Sequence, residues 1–481
     1  MEFEPVIGLE VHAQLKTDSK IFCSCSTRFG TEPNSQTCPV CTGMPGVLPV
    51  LNTRVVEFAI KLAITTGSKI AKKSIFARKN YFYPDLPKAY QVSQYEEPFC
   101  SGGHIEIQAN GGWKIINLTR IHLEEDAGKL LHPEDKDTHG KTKIDFNRCG
   151  VPLIEIVTEP VITSPNEAYL YLTKLKQLLV YLEICDGNME EGSLRCDANI
   201  SIMEKGSKTL GVKSEIKNLN SFRGVEKALE YEFERQKELI LNGEKIIQET
   251  LLWDANKNIA IPMRSKEEAH DYRYFPDPDL VPLWIDEKWI NKIKSQIPEL
   301  PKDKKLRFIN QYGLSDYNSE ILTTTKELAN YFEETVKYCK DFIKASNWII
   351  TEVLKILNEK KIEINDFNVS PKNLGTMLKM IEDGIISGKI AKEVFEYMTL
   401  TGKSAEEITK EKGLIQITDL EQISKTIDAV LKQNHKEVLA YIDGKEKLFG
   451  FFVGQVMKAT KGKANPKIVN EELRKKLNSL K

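Results

Sequence analysis

The sequence predicts an α+β protein, β-rich to about residue 290 and helical from there to the end. Two features carry this expectation. In the first part, short segments alternate apolar and polar residues between Gly, Pro, Asn and Asp, the period-two pattern of half-buried strands. From about 295, apolar residues recur every three or four positions, as in Leu328, Phe332 and Val336 and again in Leu374, Met377, Leu378 and Ile381. The Pro-rich stretch 276–282 lies just before the change, and Leu400-Thr-Gly-Lys-Ser404 marks a second break. The expected domains are 1–293, 294–405 and 406–481.

Composition narrows the class. With 481 residues, the chain exceeds what one ordinary core organises. Hydrophobic residues at 41% and charged residues at 28% belong to folded, soluble proteins. The first five residues carry acids where a secretory signal carries bases, and no apolar run approaches about 18 residues. A cytoplasmic protein with no membrane insertion is therefore expected. The net charge of -1 is unevenly spread. Residues 445–481 hold ten Lys/Arg against three Glu, a surplus of seven that leaves residues 1–444 at minus eight. Such a basic appendage suits contact with a polyanion.

In chain order, residues 7–15 come first: Glu10, His12 and Gln14 lie opposite Ile7, Leu9, Val11, Ala13 and Leu15. Cys23, Cys25, Cys38 and Cys41 follow as two close pairs spanning a loop, the spacing of a tetrahedral Zn²⁺ site. Four protein ligands leave no open position, so that zinc would be structural, and nine cysteines in all argue against a disulfide framework. Helices are expected at 54–66, 165–183 and 222–242. Between them lie Arg120-Ile-His-Leu-Glu-Glu-Asp126, a strand at 153–159 with Glu155 and Glu159 on one side, and Met189-Glu-Glu-Gly-Ser193.

Two more strands alternate cleanly. In 195–202, Arg195, Asp197, Asn199 and Ser201 share a face; in 212–217, Lys213, Glu215 and Lys217 do. Each polar face alone reads equally as a solvated surface. Together they supply carboxylates, one imidazole and cations, the materials of an oxygen-rich Mg²⁺ site that handles phosphates. Loops 78–85 and 264–277 join Arg to aromatic rings that can stack a base or close the core. In the tail, Lys458, Lys461 and Lys463 gather where Gly462 and Pro466 end a helix, an arrangement suited to RNA phosphates.

Other chemistries lack their motifs. Gly402-Lys403-Ser404 ends like a phosphate-binding loop, but the required first glycine is Tyr397. No G-x-S-x-G occurs, and no cysteine follows the initiator Met, so an ammonia-generating nucleophile must lie elsewhere. Neither His-Ile-Gly-His nor Lys-Met-Ser-Lys-Ser is present, which disfavours a tRNA synthetase.

Six long motifs resemble one family. They are Ile7-Gly-Leu-Glu-Val-His-Ala-Gln-Leu, Tyr81-Phe-Tyr-Pro-Asp-Leu-Pro-Lys-Ala-Tyr-Gln, His122-Leu-Glu-Glu-Asp-Ala-Gly-Lys, Glu190-Glu-Gly-Ser-Leu-Arg-Cys-Asp-Ala-Asn, Lys217-Asn-Leu-Asn-Ser-Phe and Asp271-Tyr-Arg-Tyr-Phe-Pro-Asp-Pro-Asp. With the tail Gly454-Gln-Val-Met-Lys-Ala-Thr-Lys-Gly-Lys-Ala-Asn-Pro, they resemble the B subunits of glutamyl/aspartyl-tRNA amidotransferases over nearly the whole chain.

The resemblance implies a cradle-like catalytic domain, a helical domain and a small all-α tail. It implies ATP-dependent phosphorylation of the side-chain carboxylate of Glu-tRNA(Gln) or Asp-tRNA(Asn), then displacement of phosphate by ammonia. An amidase-type glutaminase (the A subunit), a small bracing chain (the C subunit) and a non-discriminating synthetase are the implied partners. ATP, Mg²⁺ and structural Zn²⁺ are the implied cofactors. Glu10, His12 and Glu125 would be catalytic Mg²⁺ ligands with Asp197 and Glu215, while Ser193, Arg195, Lys213 and Lys217 would hold ATP. The strand pattern does not separate Glu124 from Glu125, and the resemblance favours Glu125. A non-catalytic tRNA scaffold and a metal-dependent nuclease or nucleotidyltransferase are the competing readings.

Overall fold

The computed structural model describes residues 2–480 apart from 110, 132–140, 208, 266–271, 415–418 and 461–462. The chain forms two compact units, Met1–Leu300 and Pro301–Lys481. The α+β expectation holds: the first unit contains a ten-stranded sheet, and the described part of the second is helical.

The sheet consists of β1 (Phe3–Gln14), β2 (Lys69–Ile70), β3 (Cys100–Ser101), β4 (His104–Ala109), β5 (Gly112–Glu125), β6 (Pro152–Thr158), β7 (Leu194–Glu204), β8 (Ser214–Leu219), β9 (Glu249–Asp254) and β10 (Ile259–Ser265). Its order is β10-β9-β8-β7-β1-β6-β5-β3-β2, with β4 paired to β5. Only the β8–β9 pair within it is parallel. The centre is β1, flanked on both sides by long antiparallel partners. Its odd residues Ile7, Leu9, Val11 and Ala13 are fully buried. They join Ile154, Ile156, Ile121, Leu123, Ala198 and Ile200 in one core with three helices.

Those helices are α1 (Thr53–Thr66), α2 (Pro165–Tyr181) and α3 (Phe222–Leu241), close to the expected positions. Each begins where a polar side chain accepts an otherwise unpaired backbone N–H: Asn52 from Arg54, Ser164 from Glu167 and Ser221 from Gly224. Pro165 occupies the first turn of α2, where its missing N–H costs nothing.

One strand departs from strict alternation. β8 starts at Ser214 instead of 212, with Val212 and Lys213 in exposed chain before it. Between the pairs Ala198↔Ile216 and Cys196↔Leu219, the single residue Asp197 of β7 faces two residues of β8, Lys217 and Asn218. This is a β-bulge. Asn218 takes the left-handed conformation it requires (φ 64°) and donates its side-chain amide to the Trp253 carbonyl at 3.0 Å.

The second unit has two hydrophobic clusters. One gathers Phe308, Leu328, Phe332, Leu374, Met377 and Leu378 with Val394 and Phe395. The other begins at Ile423 and includes Ile427, Phe452, Val456 and Leu473. In the first, helix Pro371–Glu382 approaches the end of helix Lys326–Thr335 so closely that a Cβ at Gly375 would lie 2.5 Å from the Thr335 carbonyl. The helical stretch from Phe342 to Lys360 widens into one π turn at Ile349–Val353.

Candidate active site

The even residues of β1 face away from the core, and the register assembles a polar row across five strands. His12 lies opposite Arg195 on β7 and opposite Glu155 on β6, and Glu155 in turn lies opposite His122 on β5. His12 Nε2 is 3.2 Å from Glu155 Oε2 and 3.5 Å from Glu124 Oε1. His122 Nε2 is 3.3 Å from Glu155 Oε2, so this carboxylate sits between two imidazoles. Burial opposes the His12 charge, but the Glu155 hydrogen bond and the Glu155, Glu124 and Asp197 carboxylates outweigh it and push its pKa up to about 9. Burial likewise works against the Glu155 charge, and the His122 and His12 contacts overcome it to hold that carboxyl well below its usual range. Glu124 is displaced upward, by burial and then by the Glu155 charge.

The donor atoms of His12, Glu124 and Glu155 all lie within 4.8 Å of one another. An octahedral ion with bonds of about 2.1 Å sets neighbouring ligand atoms about 3 Å apart and opposite ones about 4.2 Å apart. The three residues therefore fit a small divalent cation. Glu10, one step along β1, faces Asp197 and accepts the Asn199 amide at 3.0 Å. Lys217, turned by the bulge, lies 2.5 Å from Asp197 Oδ2 and 3.2 Å from Glu215 Oε1. Thr250 donates to the other Glu215 oxygen at 3.1 Å.

Arg195 Nη2 donates to Asp126 Oδ2 at 2.6 Å, beside the Gln14 amide at 2.8 Å. Burial of Asp126 is outweighed by Arg195 and Arg148, which keep its pKa low. Three buried polar atoms on this face, His122 Nδ1, Arg195 Nε and Asn199 Oδ1, have no partner in the protein. Unsatisfied groups of this kind are costly and point to a ligand or water. A cleft of about 290 Å³ continues the face past Glu10, Asn199, Ser201 and Lys213. Ser193, at the foot of β7, donates to Asp186 at 3.2 Å.

A wall of tyrosines borders the carboxylates. Tyr81 meets Tyr272 edge-on with ring centroids 5.9 Å apart, and Tyr274 stacks on Tyr95 at 4.2 Å. Lys79 Nζ lies 4.8 Å over the Tyr272 ring. Burial and then the Glu124 charge raise the pKa of both Tyr81 and Tyr274.

Glu125 is not brought to this cluster. It points to the other side of β5, pairs with Lys88 and accepts the Val92 backbone N–H at 2.9 Å. There it borders a separate cavity of about 220 Å³ shared with Arg78, Lys88, Asp277 and the cysteine loop. The residue that meets His12 is its neighbour Glu124. The signal was present: buried Ile121 and Leu123 fix the parity of β5, which sends His122 and Glu124 to the polar side. Glu155, His122 and Asp126 belong to the site although no role was expected for them.

Elsewhere, Cys23, Cys25, Cys38 and Cys41 offer sulfurs within 4.8 Å of one another. Tetrahedral zinc with bonds of about 2.3 Å spaces its sulfurs about 3.8 Å apart. The Cys38–Cys41 separation of 3.9 Å fits. In the second unit, Lys458 is exposed near the end of helix Leu448–Ala459, and Lys463 donates to the Gly413 carbonyl at 2.7 Å. Lys461 and Asp271 lie outside the described residues.

A β domain carrying an imidazole–carboxylate cluster beside arginine and lysine, followed by helical domains, belongs to the class of sheet-based enzymes that handle a divalent cation and phosphates. The family comparison is specific. Residues 5–291 match the GatB/GatE catalytic domain and residues 330–477 the GatB domain, so the chain belongs to the B-subunit family of tRNA-dependent amidotransferases. It is 59% identical over 471 residues to the aspartyl/glutamyl-tRNA(Asn/Gln) amidotransferase B subunit of Thermodesulfovibrio yellowstonii, covering 98% of each chain. The protein of the same name from Geotalea daltonii is 56% identical over 99% of this chain and all of its own. That of Caldicellulosiruptor bescii is 54% identical over the full length of both. Among the described residues, no helix is long and apolar enough to cross a membrane.

Proposed function

We propose that this chain is the kinase/transamidase component that converts Glu-tRNA(Gln), Asp-tRNA(Asn) or both to the amidated aminoacyl-tRNA in the cytoplasm. The observation that carries this reading is the His12–Glu124–Glu155 cluster, flanked by Arg195 and Lys217 on a polar sheet face, in a chain of this family. In the first step, a side-chain carboxylate oxygen of the attached amino acid attacks the γ-phosphorus of ATP. The bond to ADP breaks, and an acyl phosphate forms. Ammonia then adds through its lone pair to the acyl carbon, phosphate departs with the carbon–oxygen electrons, and the surplus proton leaves nitrogen to give the amide.

Bound at His12, Glu124 and Glu155, Mg²⁺ supplies charge neutralisation on the phosphates. Arg195, steered by Asp126, keeps a buried Nε free for an oxygen. Lys217, held by two carboxylates, and Lys213 at the cleft supply further positive charge for ATP. Ser193 stands at the entrance of the same strand. The tyrosine wall with Lys79 stacks the terminal adenosine of the tRNA and keeps water from the acyl phosphate. Ammonia comes from an amidase-type glutaminase, the A subunit, braced by the small C subunit. The tail, residues 406–481, contacts tRNA phosphates through Lys458, Lys461 and Lys463.

The test is reconstitution with both partner proteins, mischarged tRNA, ATP, Mg²⁺ and ammonium, following ADP and amidated tRNA. Product that needs ATP and is lost in His12→Ala supports this reading. ATP turnover unchanged in His12→Ala reduces the chain to a tRNA scaffold.

A further inference from the structure

We propose that Lys20 is the charge-compensating partner of a zinc tetrathiolate and ties the metal loop to the segment that leads into β6. This role presupposes the zinc reading of Cys23, Cys25, Cys38 and Cys41 and goes beyond it in assigning the residue that stabilises the bound metal from outside its ligand shell.

Lys20 is a lysine with no exposed surface, lying six residues beyond the end of β1. Its ammonium has three N–H donors, and the structure gives them three acceptors: the Gln36 carbonyl at 2.7 Å, the Phe146 carbonyl at 3.5 Å and Cys41 Sγ at 3.6 Å. Among the described residues it makes no ion pair with an acid; the nearby Glu125 is taken by Lys88. A buried ammonium facing only neutral groups is an expensive arrangement. The arrangement makes sense if the sulfur is a thiolate. Four thiolates on Zn²⁺ carry a net charge of minus two in a partly buried loop, and one lysine halves it. The Cys38 backbone N–H, 3.2 Å from the same sulfur, adds a second donor.

The two carbonyls belong to different segments that are already clasped. Asn34 takes Asp145 through its backbone N–H at 2.9 Å and accepts the Phe146 N–H at 2.8 Å; Asn147 accepts the Gln36 N–H at 2.8 Å and donates to the Glu32 carbonyl at 2.7 Å. Cys149 donates to the Cys41 carbonyl at 3.2 Å. Lys20 stands where loop, segment and metal ligand meet, so losing the metal removes the counter-charge on which all three converge.

The experiment compares the wild-type chain with Lys20→Met, which keeps length and packing but not charge. Wild type is expected to hold one zinc. Lys20→Met is expected to lose it to a chelator about 10- to 100-fold faster, the usual scale for outer-sphere partners. In cobalt-substituted protein, its thiolate-to-metal charge-transfer band is expected to shift, which a purely packing role does not produce. Equal release rates and an unmoved band overturn the role of Lys20 while leaving the zinc site standing. A wild-type chain that binds no zinc overturns both. If Lys20→Met does not fold, amine labelling of wild type decides. Lys20 is expected to be protected with zinc and labelled after chelation, and equal labelling in the two states overturns the proposal.

Discussion

Glu124 and Glu125 are adjacent in the chain and serve opposite sides of one strand: Glu124 Oε1 lies 3.5 Å from His12 Nε2, while Glu125 pairs with Lys88. The two should therefore separate experimentally. Glu124→Gln is expected to weaken Mg²⁺ binding and cut ATP-dependent phosphorylation by about 100-fold or more, the scale of losing a ligand to a phosphate-neutralising ion. Glu125→Gln should leave Mg²⁺ affinity within about threefold of wild type. Isothermal titration with Mg²⁺ and ADP release measure both, and equal loss of Mg²⁺ affinity in the two variants would contradict the geometry.

Lys217 spans two acids, so replacing it exposes their repulsion as well as removing a cation. Lys217→Met is expected to raise the KM for ATP at least about tenfold. Restoring positive charge as Lys217→Arg should recover only part of it, because the bulge presents one short cation between Asp197 and Glu215. Steady-state kinetics at fixed tRNA provide the test.

The pH response of folding should show the Glu167 cap. Burial opposes the Glu167 charge, but the Lys114 contact at 2.6 Å and the Thr163 backbone N–H at 2.8 Å outweigh it and lower its pKa. A depressed carboxyl contributes stability above its unfolded value near 4.5 and loses it as pH falls below. Glu167→Gln is thus expected to cost about 1 kcal/mol at neutral pH and to converge on wild type by about pH 3. Chemical denaturation at pH 7 and pH 3 shows whether the gap closes.

Cys38→Ser should release zinc and lower the melting temperature, since three sulfurs cannot complete the tetrahedron. Metal analysis alongside thermal melting checks it; retention of both metal and stability would remove the tetrathiolate.

Gly375→Ala is expected to destabilise the second unit by about 1–3 kcal/mol, because the added methyl group meets the Thr335 carbonyl and Tyr338 Cβ. Urea denaturation should show a lower midpoint without a change in slope.

Much of this arrangement was legible in the chain. The alternation of 7–15 and 195–202 placed Glu10, His12, Arg195 and Asp197 on one face, because a strand packed on one side leaves no other choice. The cysteine spacing was equally direct. Glu155 was harder, because it gains its meaning only from lying between His12 and His122 on neighbouring strands, and register across three strands is a long-range property. The run Glu124-Glu125-Asp126 hid its own parity under three acids, although the buried Ile121 and Leu123 before it settle the phase. Lys20 gave no signal: a lysine in a polar stretch looks solvated until the fold closes over it.

The extra residue in β8 has a consequence for how the family can vary. Up to Lys217, alternate side chains of that strand enter the site; without Asn218 the same beat would carry Leu219 there too. The bulge acts as a skipped beat, after which Leu219 drops back into the core opposite Cys196. A deletion here would shift the phase of everything that follows, exchanging inside for outside in a single step. Length at this position is therefore less negotiable than the identity of most side chains around it.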